Sequence, residues 1–486
     1  MHPVLKFGGT SVADAAAIRR LIEIVKSAAD RAGCAPVVVV SAMAGVTDQL
    51  LDLAARAQRG HADLADPAIE QIEARHREAA RELLGAEGTA ALSTQLERHF
   101  ADLRAILAAI ATLREASPRS LDVVAAAGEL LSSRVVAAAL DRFGVSAEWV
   151  DARTVIVTNA DHTAAAPLMT ETEAAVRRTI KPCLDTGRVA VVGGFVGATP
   201  EGVTTTLGRG GSDFSAAIIG AVLDAPEVQI WTDVDGMLSA DPRVFTTPRL
   251  VPQLSFGEAF ELAYFGAKVL HPNTILPAVR KNIPVRILNS RRPTGSGTVI
   301  RGGNHSRGGP IAGIACKRRQ TVVDITSTRM LMAHGFLRRL FEVFERFRTS
   351  IDVVTTSEVS VSVTIDDDRR LDEIVAALRE FADVGVERNM AILCAVGDAL
   401  SADPRLAIRA LMALDGFPLR MVSQAASRRN LTVVLRDSDL PAATAKLHEA
   451  LFAASASAAD EPEPSLTGAA ARGSQGRLDS GLGGGS

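Results

Sequence analysis

Short, uniformly apolar runs bounded by Gly, Ser or Asp alternate with long Ala-rich helical patterns along the first part of the chain. The runs include Val4-Leu5-Lys6-Phe7, Pro36 to Ser41, Val189 to Val192 and Val228 to Trp231. Strands this uniformly apolar need cover on both faces, and the intervening helical stretches supply it. Strand and helix in alternation predict a mostly parallel sheet in a layered α/β domain. Residues 67–116 break the rhythm with many Glu, Arg, Ala and Leu, and predict a helical hairpin laid on the outside.

Arg292 to Thr298 and Gly302-Gly303-Asn304-His305 are loop-like and mark a boundary, so the first domain is expected to span residues 1–300. Beyond it the order strand, helix, strand, strand, helix occurs twice. The first copy reads as a strand at Thr321 to Ile325, a helix at Phe336 to Arg348, strands at Ile351 to Thr355 and Val359 to Ile365, and a helix at Leu371 to Phe381. The second reads as a strand at Met390 to Cys394, a helix at Leu406 to Leu414, strands near Leu419 and at Leu431 to Leu435, and a helix at Pro441 to Leu451. Two such units, expected over 315–389 and 390–453, suit a regulatory module better than a catalytic one. From 456 to 486 Ala, Ser, Gly and acidic residues dominate, as in a flexible tail or linker.

A chain of 486 residues is too long for one ordinary core, consistent with this division. A formal net charge of -3 supplies no field for nucleic acid or an anionic membrane. Few aromatics leave no stacking platform for bases. The four cysteines lie far apart, without a Cys-x-x-Cys pair, so no metal site or disulfide framework is expected. No apolar run is expected to reach the roughly 18–20 residues of a membrane span, and no signal segment opens the chain, so a cytoplasmic protein is expected.

Two glycine loops carry the candidate chemistry. Lys6-Phe7-Gly8-Gly9-Thr10-Ser11 lies where a strand gives way to a helix, where glycines let backbone N–H groups approach an oxyanion. Lys6 adds a cation suited to charge developing on transferred phosphoryl oxygens. Taken alone, this segment also fits an ordinary turn beside a solvated lysine. The second loop, Thr206-Leu207-Gly208-Arg209-Gly210-Gly211-Ser212-Asp213, opens a helix expected at Phe214 to Leu223. Arg209 can hold a carboxylate with two parallel hydrogen bonds. Asp213 near phosphates needs a cation between, and Lys6 or Mg²⁺ is the natural one. The alternative is that Ser212 and Asp213 only cap the helix. No Walker A motif is present.

These loops resemble those of aspartate kinases. So do Trp231 to Gly236 with Asp241-Pro242-Arg243, Tyr264 to Pro272, and Ile351 to Ser360, a signature of that family's regulatory ACT domain. The resemblance covers residues 3–452 and is strongest to the lysine-sensitive single-chain type. It implies the amino-acid kinase fold followed by two βαββαβ-type ACT domains. It implies transfer of phosphate from ATP, with Mg²⁺, to L-aspartate, giving 4-phospho-L-aspartate, the committed step towards lysine, threonine and methionine. By motif, Lys6, Gly8, Gly9 and Ser41 would contact phosphates. Thr232, Asp233, Arg243 and Lys268 would line the nucleotide pocket. Thr47, Glu129, Arg209 and Ser212 would bind aspartate, and Asp213 would organise Lys6 and the metal. Leu238 departs from the aromatic residue that lysine-sensitive relatives carry there.

A β-carboxylate with an ordinary pKa of about 3.9 is ionised at neutral pH and is its own nucleophile, so no general base is required. The resemblance places an amino-acid effector, expected to be L-lysine, between a segment with Met330, Phe336 and Leu337 and one with Ser350, Asp352, Ser357 and Glu358. Asp352 would take the effector's side-chain ammonium, and the ACT domains would make a homodimer or homotetramer. Rival readings are a kinase of the same fold acting on glutamate, N-acetylglutamate or uridylate, and a non-catalytic amino-acid sensor.

Overall fold

A computed structural model describes residues 1–60, 65–266, 270–303, 309–327, 334–424 and 427–452. The expected contact residues Lys268 and Met330, and the stretch from 453, lie outside these. The apolar runs become β1 (Val4–Phe7), β2 (Val37–Val40), β4 (Val189–Gly193) and β7 (Val228–Thr232), the centre of an eight-stranded sheet. Its order is β3-β4-β2-β1-β7-β9-β10-β8, with β3 (Ala147–Val150), β8 (Gln253–Ser255), β9 (Val285–Asn289) and β10 (Thr298–Arg301). Pairing is parallel from β3 to β9, and only β10 runs against β9. A small antiparallel pair, β5 (Val196–Ala198) and β6 (Thr204–Thr206), leads into the second glycine loop.

Helix α1 (Ala15–Ala32) covers the sheet with Ile18, Leu21, Ile22 and Val25, spaced to share one face. The Asp14 side chain caps its start by accepting from the Ala17 N–H, and Gly33 ends it at φ 64°. After α2 (Val46–Gln58), α3 (Ala65–Leu113) is broken at Gly85, whose φ of 71° no helix accommodates. Arg104 pairs with Glu73 at 2.7 Å and Arg77 reaches Glu97, so the arms run antiparallel as the expected hairpin. Phe100, fully buried, meets the buried His76 ring edge-on between the arms.

The next helix, α4 (Pro118–Arg142), corrects the membrane reading: it is long and apolar enough to cross a bilayer. However, 83% of that apolar window is buried inside the fold, so its composition is that of a core helix. Four helices complete this part: α5 (Met169–Thr179), α6 (Lys181–Asp185), α7 (Gly211–Val222) and α8 (Phe256–Tyr264), with the short α9 (Leu276–Arg280) after them.

The two C-terminal repeats share one six-stranded sheet, ordered β12-β13-β11-β14-β16-β15. Its spine is β11 (Gly313–Thr326) against β14 (Asp383–Val396), antiparallel, with register shifts between Lys317 and Val322. The first half of β11 serves the second repeat and the second half the first, where it pairs with β13 (Ser360–Ile365). The expected division at residue 389 therefore falls inside β14. The polar stretch Cys316 to Gln320, ahead of the strand expected at Thr321, is carried within β11 by an irregular ladder. Flanking these are β12 (Val354–Thr356), β15 (Met421–Ser423) and β16 (Asn430–Arg436). Helices α10 (Phe336–Arg346) and α11 (Leu371–Arg379) build one apolar cluster, α12 (Pro404–Ala413) and α13 (Leu440–Phe452) another.

The regulatory sheet is seated on the first domain. The Ile314 N–H donates to the Ser239 carbonyl at 2.7 Å, and the Ser239 hydroxyl lies 2.8 Å from Nε2 of His448 on α13. The Asn430 amide donates to Glu261 on α8.

Phe100→Ala should cost about 3–5 kcal/mol, because the hairpin core would keep a ring-sized cavity. Chemical denaturation followed by circular dichroism measures it.

Candidate active site and its relatives

Lys6 projects from β1 toward α7. Its ammonium lies 2.7 Å from Asp213, and the side chains are only 11% and 13% exposed. Asp213 stands in the first turn of α7, whose N-cap is Gly210 at φ 72° with no side-chain cap. Ser212 and Asp213 are thus free of capping work, and the capping alternative falls. A side chain at Gly210 would also collide with Thr274, placing a Cβ 2.7 Å from its methyl. After β1 the chain makes one 3₁₀ turn, Gly9–Val12, before α1. Gly9 is pinned there, since a Cβ would come within 3.0 Å of the Ala42 carbonyl. Ser41, just after β2, also reaches the second loop: its hydroxyl donates to the Ser212 hydroxyl at 3.0 Å.

Between the loops lies a cleft of 650 Å³, lined by Lys6, Gly9, Ser41, Thr47, Glu129, Arg209, Ser212 and Asp213. Gly8 stays at its edge, with its N–H spent on the Trp231 carbonyl. Arg209 is exposed at the rim and forms no ion pair among the described residues. Glu129, from the middle of α4, is 4% exposed, and its Oε2 is buried without a hydrogen-bond partner. Burial pushes its carboxyl up to about 8, against relief from the Ala42 N–H and the Lys6 ammonium. A cationic group entering the cleft would meet a carboxylate prepared for it.

A second pocket of 300 Å³ lies beyond the end of β7, with Thr232, Asp233, Leu238 and Arg243 on one side. Its other wall is Ile314, Ala315 and Cys316 of β11, so the regulatory sheet closes it. Arg243 is not free there, since Asp241 holds it at 2.6 Å.

With this geometry, comparison with known proteins is decisive. Residues 1–289 match the amino acid kinase family and residues 393–451 an ACT domain. The chain is 38% identical over 464 residues to the chloroplastic aspartokinase 3 of Arabidopsis thaliana, covering 92% of this chain and 81% of that protein. The chain belongs to the aspartokinase family. It is 36% identical to the lysine-sensitive aspartokinase 3 of Escherichia coli (strain K12), covering 92% of this chain and 99% of that one. Two crystal structures of E. coli aspartokinase III, each 34% identical, superpose on it. The T-state with lysine and aspartate has a TM-score of 0.79, covering 93% of this chain and 99% of that one. The R-state with aspartate and ADP has a TM-score of 0.78, covering 93% and 100%.

Of the effector positions expected for this aspartokinase-family chain, Asp352 is turned inward, its side chain only 6% exposed. Lys317 of β11 holds it at 2.6 Å, and burial raises its carboxyl pKa against that ammonium. Ser357 and Glu358 lie instead in an exposed turn, where the Ser357 N–H donates to the Ser360 carbonyl. Ser350 is exposed, and Phe336 packs edge-on against Phe381 while Leu337 faces outward.

Sequence reasoning missed Asp122, about two α-helical turns before Glu129 on α4. Its carboxylate is fully buried and accepts from Nδ1 of His162 at 2.6 Å, the Thr163 N–H and the Thr206 hydroxyl. It ties the 159–166 loop to the strand that feeds Gly208 and Arg209. An aspartate six residues before a Gly-Glu-Leu triplet carries no motif that would have exposed it.

The folded Glu129 carboxyl keeps its proton up to about 8, whereas its ordinary value is 4.5. Between those values the folded state holds the extra proton, so its stability falls as pH rises. Glu129→Gln removes that penalty, and its melting temperature relative to wild type should improve from about pH 5 to about pH 8. Thermal melts of the ligand-free protein at both values measure this.

Proposed function

We propose that the protein phosphorylates the β-carboxylate of L-aspartate with ATP, giving ADP and 4-phospho-L-aspartate. The observation that carries this is one cleft holding the Lys6–Asp213 pair, the unpaired Arg209 and the buried, half-unpartnered Glu129. Arg209 takes the α-carboxylate, and Glu129 takes the ammonium with Thr47 and Ser212 beside it. The β-carboxylate is left facing Lys6. One of its oxygens bonds to the γ-phosphorus as the bridge to the β-phosphate breaks, and that electron pair leaves on ADP. No proton moves, which agrees with a cleft that lacks a histidine at its floor. The Lys6 ammonium, steadied by Asp213, neutralises charge gathering on the transferred group.

The phosphates lie along Gly8, Gly9 and Ser41, and the base enters the pocket of Thr232, Asp233, Leu238 and Arg243. No cluster of three acidic, His or Cys side chains among the described residues can hold a metal alone. Asp213 offers one carboxylate beside the phosphate path, which suits Mg²⁺, an ion bound largely through phosphate oxygens and water. The ion would supply further neutralisation of the phosphate charge. In that pocket Leu238 presents an aliphatic chain, the departure from the aromatic residue of lysine-sensitive relatives noted in the sequence.

We further propose feedback by L-lysine at the Asp352 region and dimerisation through the ACT sheet, whose edge strands expose Val354 and Val422. The likeness to a lysine-sensitive relative supports the effector. Free thiols at all four cysteines support a reducing, cytoplasmic setting.

Incubation with ATP, aspartate and hydroxylamine should yield aspartyl hydroxamate; hydroxamate from another acid and none from aspartate would remove the assignment. Lys6→Met should lower kcat by at least about a hundredfold, with the circular dichroism spectrum retained.

Entry of the substrate ammonium should ionise Glu129 and release up to one proton near neutral pH, so aspartate binding tightens as pH rises towards about 8. Calorimetry in buffers of different ionisation enthalpy measures the release, and Glu129→Gln should abolish it.

A further inference from the structure

The ammonium that holds Asp352 belongs to a lysine of this chain. Lys317 Nζ lies 2.6 Å from Asp352 Oδ1 and 4.8 Å from the centre of the Tyr264 ring at the end of α8. An ammonium beside a carboxylate and over an aromatic face is bound by charge and by the ring quadrupole together. Asp352 Oδ2 makes no close hydrogen bond, although the Tyr264 hydroxyl also acts on this carboxylate and Asp366 is the neighbouring like charge. Lys317 occupies the oxygen and the ring face that a second ammonium would take, and two like charges brought there repel each other.

We infer that Lys317 is an internal competitor for the effector's side-chain ammonium: it fills the Asp352 site until the effector displaces it. This rests on the lysine-effector reading above. An alkylammonium of the same chemistry, on a free amino acid, brings further donors that Lys317 lacks. Lys317 has the advantage of its tether, and loses only when the free amino acid is abundant. The competition therefore sets the threshold at which the effector acts.

The position of Lys317 in the strand gives displacement a route to the active site. Its neighbour Cys316 lines the nucleotide pocket, because successive side chains of a strand point to opposite faces. The Cys316 carbonyl presses on Gly266, where a Cβ would stand only 2.3 Å away at a φ of 126°. Gly266 lines the same pocket. The register shift that begins at Lys317 leaves this part of β11 less tied to β14 than the regular ladder on either side. Lys317 leaving Asp352 and Tyr264 thus loosens a segment already in contact with the nucleotide wall.

The test is titration of kinase activity with L-lysine in wild type, Lys317→Met, Lys317→Gln and Lys317→Arg. Removing the internal ammonium should lower the half-inhibitory lysine concentration about tenfold or more in the Met and Gln variants. Lys317→Arg keeps a cation near Asp352 and should stay within a few-fold of wild type. If wild type is inhibited but both neutral variants respond at the same or higher lysine, competition is overturned while the effector reading stands. If neither wild type nor any variant responds, the effector reading falls and this inference with it.

Discussion

Everything at the active cleft hangs on one ion pair, Lys6 with Asp213, at 2.7 Å in a site that leaves little of either exposed. A lysine at the end of a central parallel strand has no water to neutralise it, and an aspartate in the first turn of α7 has the helix dipole in its favour. Together they tie the strand edge to the second glycine loop. Removing one partner leaves the other an uncompensated charge beside the phosphate path. The Ser41–Ser212 hydrogen bond and the Asp122 network extend the same arrangement, so the two loops are held at a fixed separation before any substrate arrives.

Glu129 plays the opposite role. Its environment is unfavourable to charge until a cation enters, and that is what makes it selective. An ammonium recovers the cost of its burial, while a neutral or anionic group does not. On the proposed reading, the cleft would distinguish an amino acid from a simple dicarboxylate by an electrostatic deficit rather than by shape.

The regulatory sheet is not an appendage. Strand β11 supplies Ile314, Ala315 and Cys316 to the pocket beyond β7 and Lys317 to the Asp352 pair, so the proposed nucleotide and effector sites share four consecutive residues. A sheet spine common to both repeats makes their movements interdependent, since a shift of β11 against β14 is felt at both ends.

Much of this was legible in the chain. Apolar runs such as Val37–Val40 can only be strands covered on both faces, and glycine next to Lys6 and around Arg209 specifies close backbone approach, because these preferences are local. Residue order also identified the repeats after residue 300, though it broke them at residue 389, inside β14, and began the first strand at Thr321, partway along β11, because the polar stretch Cys316 to Gln320 disguised the strand before it. What no local rule contained were the meetings of distant residues. Asp122 with Thr206, Asp213 with Lys6, Lys317 with Asp352, and α4 as core rather than membrane helix depend on which surfaces the folded layers bring together. Burial raised Glu129 because only the packed fold decides where water is excluded. Element type follows from short-range sterics and hydropathy, whereas charge state and partnership follow from the tertiary arrangement.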